Sequence, residues 1–167
     1  MFLALRIIHI MTGVFWAGTV FFMISYLLPS FAAAGPGAGP VQEELMKRKL
    51  FQRLPIVAML AIISGFWMYY LRMQGSSGMP PTRELKVLGA GGLAAVIAIL
   101  IGFIVVRPAQ DKIGAVAQAA NALPPGPEKD AKMAEAAALR AKVMMSGRIV
   151  ATLLGVTVIS MAIARYV

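Results

Sequence analysis

The apolar positions of this chain fall in four long blocks, residues 3–28, 54–71, 87–106 and 149–164, in which charged side chains are rare. A hydrocarbon layer about 30 Å thick is crossed by roughly 20 apolar residues rising 1.5 Å each. Three blocks reach or approach that length. The fourth is shorter, and its helix is expected to start earlier, in polar surroundings. A barrel strand would alternate apolar and polar positions, and none of the blocks does so. The expected fold class is therefore all-α, a four-helix transmembrane bundle.

The segments between the blocks predict the connections. AAAGPGAGP, residues 32–40, predicts a flexible loop after a first helix that ends near Pro29. Residues 41–53 predict a short polar helix leading into the second span, with Pro55 tolerated near a helix start. GSSGMPP, residues 75–81, predicts a tight exposed loop, and Thr82 or Arg83 opens the third helix. Past Val106 the alanine-rich stretch 109–122 keeps helix propensity, so the third helix is expected to continue despite Pro108. LPPGP, residues 123–127, breaks it. Residues 128–143 begin with acidic side chains, as a helix dipole favours, and run into the fourth span. Residues 107–148 thus predict a helical hairpin that extends helices 3 and 4 into water, within a single membrane domain.

Composition agrees with lipid as the surrounding medium. The chain is 59% hydrophobic and 14% charged, against about 45–50% and about 25% in soluble domains. It has no cysteine, which excludes disulfides, iron–sulfur clusters and thiolate catalysis. The first block is too long for a signal-peptide core and lacks an A-x-A site, so it is expected to be retained. The net charge of +9 is explained by residues that set topology and meet anionic lipid, and no nucleic-acid partner is expected. Eleven of the lysines and arginines fall on the face with loops 1–2 and 3–4, and five on the other. The positive-inside rule makes the first face cytoplasmic. Both ends of the chain then face the periplasmic side of a bacterial inner membrane.

Small residues are expected to line the helix contacts, since no hydrophobic force drives helices together in lipid. Ala90, Ala94, Ala98 and Gly102 recur at intervals of four, as do Gly147, Ala151 and Gly155. Gly13 with Ala17 and Ala61 with Gly65 continue the pattern. These ridges suit a closed bundle and equally a homodimer seam.

Chemistry has few candidates. His9 is the one histidine and sits roughly 9 Å inside the first helix. Intramembrane ionisable groups usually face a bundle interior and mark function; the plainer reading is a neutral imidazole bonded to a neighbouring helix. Trp16 follows two turns later on the same face, and Gly13, Ala17 and Gly18 leave room beside it for a flat ring or for ordinary packing. Lys86, Arg6, Arg72 and Arg165 place a cation at the outer end of each helix, as anchors that snorkel or as holders of ligand carboxylates or lipid headgroups. Met68, Met11, Met73 and Met161 lie in the outer half. Thioethers with an imidazole suit Cu(I), although methionine also fills irregular gaps. A His–Met pair can also complete haem iron. Zinc is poorly served by one histidine and no cysteine.

The run His9-Ile-Met-Thr-Gly-Val-Phe-Trp16-Ala17-Gly18 resembles the first helix of CopD-like membrane proteins and of the related four-helix bacterial protoporphyrinogen oxidases. Residues 48–53 entering the second span, Gly65-Phe66-Trp67-Met68 near its end and Lys86 opening the third fall in matching order, and Met161-Ala-Ile-Ala-Arg165-Tyr166 is similar to the end of an uncharacterised bacterial family in that neighbourhood. The resemblance implies a b-type haem on His9 and an essential Lys86. The oxidase pattern has a histidine two residues before the lysine, where this chain has Glu84. Three functions are therefore carried forward: a CopD/oxidase-like membrane protein holding haem b, an accessory subunit of a larger membrane complex, and a copper-handling protein. Both His9 and Lys86 are expected to face one outer-leaflet pocket.

Overall fold

A computed structural model describes residues 1–75 and 80–167. Among them there is no strand, and four helices are long and apolar enough to cross a membrane. They are α1 (Phe2–Ala34), α3 (Leu50–Gln74), α4 (Arg83–Ala122) and α5 (Pro127–Tyr166); the short α2 (Gly39–Lys47) links the first two. Each long helix packs on its neighbour in sequence, and α1 closes on α5. Most of the expected tight loop 75–81, Ser77 included, lies outside the described residues.

The helices outrun the apolar blocks, and proline chemistry explains how. A proline ring inside a helix clashes with the carbonyl four residues back and offers no N–H. Pro29 and Pro108 each stand just after a π turn, Met23–Leu27 and Gly102–Val106. The carbonyls they threaten, those of Ser25 and Ile104, lie within the two wider turns, and a π turn inserts a residue without ending the helix. The first helix therefore does not end near Pro29. It continues as Leu28–Ala34, and the expected flexible loop is instead a 3-10 turn, Gly35–Ala38, running into α2. The second connection also differs. The helix expected over 41–53 is cut at Lys49, whose φ of 58° is left-handed and ends one helix before the next begins.

Other starts and stops agree with the sequence. Thr82 caps α4, its Oγ1 accepting from the Leu85 N–H at 3.3 Å. Thr82→Ala should lower stability by about 1 kcal/mol, read as an earlier transition in a detergent unfolding titration; an unchanged midpoint would show that the cap contributes nothing. Residues 123–126 break the last connection. Arg107–Ala122 then packs along the first half of α5, with Ala109, Ala120, Ala136 and Val143 buried.

The packing is inside-out relative to a soluble bundle. The core gathers alanine, including Ala17, Ala58, Ala61, Ala95 and Ala98, around Trp16, Ile99 and Leu154. Large apolar side chains point outward on every long helix: Leu3 is 70% exposed, Val14 68%, Ile56 62% and Ile104 70%. Soluble monomers rarely expose contiguous apolar surface on this scale. Small residues inside are what lets helices approach where burial of bulk gives no advantage.

Each seam holds one close approach at a glycine. A Cβ on Gly65 would strike the His9 ring, one on Gly89 would stand 3.1 Å from Tyr69 Oη, one on Gly91 would stand 2.8 Å from Ser160 Cβ, and one on Gly147 would strike Ile24. These close α1 on α3, α3 on α4, α4 on α5 and α5 on α1. Of the expected ridge on α4, Ala94 and Ala98 are buried and Gly102 is half-buried, but Ala90 is exposed, and Gly91, Ala95 and Ile99 complete the buried face. An interval of four drifts around a 3.6-residue helix, so a stripe spaced by three and four keeps one face.

Candidate functional site

His9 leans across the seam between α1 and α3. Its Nδ1 lies 2.7 Å from the Ala61 carbonyl oxygen. A carbonyl only accepts, so Nδ1 carries the proton and donates. In that tautomer the lone pair lies on Nε2. Gly65, one turn beyond Ala61, allows the ring to lie against α3: a Cβ there would stand 2.7 Å from Cε1, 3.0 Å from Nδ1 and 3.7 Å from Nε2. Nε2 is the ring nitrogen farther from this position. The same Ala61 carbonyl accepts from Ser64 Oγ at 3.1 Å, and Ser64 also bonds the Leu60 carbonyl at 2.6 Å. Thr12, on the turn after His9, returns its hydroxyl to the Ile8 carbonyl at 2.6 Å.

The other sequence candidates divide between this seam and the rim. Trp16 is buried in the alanine core with Ala17. Gly13 and Gly18 have open space where a Cβ would be, and Gly18 is exposed. Met68 is half-buried and lies one turn past Gly65 on the stripe Ala61–Gly65–Met68. Arg6 and Lys86 are exposed, and no side-chain hydrogen bond or ion pair of Lys86 forms among the described residues. The structure brings His9 to Ala61 and Gly65, and joins it to Lys86 by no contact. Glu84, standing where the oxidase pattern has histidine, pairs with Arg72, whose guanidinium lies 6.0 Å from the Phe2 ring centroid. This knot ties the start of α1, the end of α3 and the start of α4 together at one rim.

Sequence reasoning placed Ala61 and Gly65 on a helix-contact stripe without joining them to His9, and it missed Ser64, which shares the Ala61 carbonyl. The signal was a glycine facing a lone histidine on an antiparallel neighbour, but nothing in the sequence supplies that register. Among the described residues no group of three histidine, cysteine or acidic side chains is placed to hold a metal ion. Along the outer side of α3, Ile62, Ile63, Phe66, Trp67 and Tyr70 line an open apolar groove of about 420 Å³.

Comparison with protein families, with characterised proteins and with solved structures finds no match to this chain.

Proposed function

We propose that this chain is an integral membrane protein of the CopD/protoporphyrinogen-oxidase kind, holding haem b at the α1–α3 seam through His9 Nε2. The observation that carries the reading is the 2.7 Å bond from His9 Nδ1 to the Ala61 carbonyl. Ligating histidines commonly donate the other ring nitrogen to a carbonyl or carboxylate, which sets the tautomer and the ring plane. His9 has that arrangement, so its imidazole would suit a haem ligand. Met68, on the stripe that His9 leans against, is the candidate second ligand. When bound, the haem would supply one-electron chemistry. The chain's own part is to orient one imidazole and surround it with small residues. Lys86, being exposed, would act from the rim.

In this reading α1, α3, α4 and α5 cross the inner membrane. Arg107–Ala122 and the first half of α5 form a hairpin on the cytoplasmic side, and both ends of the chain face the periplasm. Support comes from the apolar outer surface and from the lengths of α4 and α5. At 40 residues each they span roughly 60 Å, about twice the hydrocarbon thickness.

A second reading, an accessory subunit of a larger membrane complex, is favoured by one observation: the groove at Ile62, Phe66, Trp67 and Tyr70 presents aromatic side chains outward near the outer end of α3. Copper, held by His9 with Met68, is the third occupant considered. Purification from membranes separates the three. Protein purified from membranes should show a Soret band under the haem reading. Partner chains at fixed stoichiometry without a Soret band would replace it with the subunit reading, and stoichiometric copper without haem would replace it with the third.

A further inference from the structure

We propose that Ser64 is a positioning residue for His9: its hydroxyl competes for the Ala61 carbonyl and so loosens the hold of that carbonyl on the ring. The inference deepens the reading of His9 as a haem ligand and rests on that reading for its functional consequence. The bond concerned is the one from His9 Nδ1 to the Ala61 oxygen, at 2.7 Å.

More donors reach the Ala61 carbonyl than it can serve well. A peptide oxygen offers two lone pairs. Ala61 stands inside α3, where the Gly65 N–H takes one of them as the helix repeats. His9 arrives from α1 as a second donor. Ser64 Oγ, at 3.1 Å, is a third. Ser64 is only 4% exposed, so water does not relieve the competition. Its single proton has an alternative in the Leu60 carbonyl, at 2.6 Å, and a hydroxyl proton rotates to suit its acceptors. Turned to Leu60, the hydroxyl leaves Ala61 to His9. Turned to Ala61, it weakens the bond from the imidazole, and it satisfies the buried carbonyl whenever the ring swings away. Both effects have the same sign, since each makes release of Nδ1 easier.

Return of a hydroxyl to its own helix is common. Thr12 and Thr152 do the same at less buried positions, to the carbonyls of Ile8 at 2.6 Å and Arg148 at 3.0 Å. What sets Ser64 apart is its second carbonyl, which holds an imidazole from another helix. The strength of the Nδ1–H bond sets how basic a ligand the opposite nitrogen is. Ser64 therefore makes His9 a weaker electron donor at Nε2 than the Ala61 carbonyl alone would.

The test uses the fact that the chain has one histidine. Isotopic labelling of histidine nitrogen then gives NMR signals from His9 alone, and the exchange of its ring proton with water is measured on the purified protein in micelles. The wild-type ring should carry its proton on Nδ1. Ser64→Ala should slow exchange of that proton roughly fivefold, the factor that one hydrogen bond is worth. Thr12→Ala removes a hydroxyl that bonds neither the imidazole nor Ala61, and it should change the rate less than about twofold. Where haem is bound, its midpoint potential should fall in Ser64→Ala and hold in Thr12→Ala, because a more basic ligand favours the oxidised iron. Exchange that is unchanged or faster in Ser64→Ala, equal slowing in Thr12→Ala, or a wild-type ring protonated on Nε2 would each overturn the proposal. Absence of a Soret band would overturn the haem reading while the exchange rates still decide the role of Ser64. A Soret band with unchanged exchange in Ser64→Ala would overturn that role alone.

Discussion

Gly91→Leu should destabilise the bundle by about 3 kcal/mol, because the added side chain has no space between α4 and α5. The backbone of α5 reaches its closest approach here. Even a lone Cβ on Gly91 would stand 2.8 Å from Ser160 Cβ and 3.4 Å from the Thr157 carbonyl oxygen, and neither atom is the free end of a flexible side chain. The Thr157 hydroxyl also donates to the Gly91 carbonyl at 3.0 Å, so parting the helices lengthens that bond. Gly92, the next residue, has open space at its Cβ position. Alanine separates the two effects by sign. Gly92→Ala should gain up to about 1 kcal/mol from helix propensity, while Gly91→Ala should lose about 1–2 kcal/mol because the clash outweighs the same gain. Unfolding in mixed micelles reads both. Equal shifts of the same sign would mean that α4 and α5 do not meet at Gly91.

If the proposed haem is bound, His9→Ala should abolish its Soret band while leaving the four helices assembled. The variant loses one hydrogen bond, worth about 1 kcal/mol, and the Ala61 carbonyl keeps its bond from Ser64. Gly65→Leu provides a stricter version. It retains His9 but fills the cradle in which the ring lies, so the imidazole must swing off the Ala61 carbonyl. Loss of the band in Gly65→Leu as well would tie haem to this orientation of the ring. A band that survives both substitutions would place the haem elsewhere or on another ligand.

The outline of the fold could be read from the sequence because a long unbroken apolar block, with no alternation along it, fits a continuous helix. Four apolar blocks, the break at 123–127 and the cap at Thr82 each follow from local rules. What could not be read depended on pairs. Pro29 and Pro108 read as one terminator and one interruption, yet each helix continues past its proline beside a π turn. Lys49 gives no local sign of its left-handed backbone, since glycine or asparagine is the usual residue there. The interior face of α4 was placed one residue off at Ala90, as an interval of four does not follow a helix for three turns. At the site, composition singled out His9, but its partner is a backbone carbonyl, which has no identity in a sequence. Lys86 was drawn to the same place by its level along the bundle alone. Level does not set the direction of a side chain.

The membrane crossing itself is tested most directly by labelling single cysteines with an impermeant maleimide in intact cells. The chain has no cysteine of its own, so each introduced thiol reports alone. Gln74, at the exposed end of α3, and Gln118, exposed on the hairpin arm, are suitable; Ala136 and Ala38 are not, because both are buried. Gln74→Cys should label in intact cells, and Gln118→Cys should label only after the membrane is opened. Labelling of Gln118→Cys but not Gln74→Cys in intact cells would invert the topology and set His9 near the cytoplasm, and recovery of the chain in the soluble fraction would contradict the membrane bundle altogether.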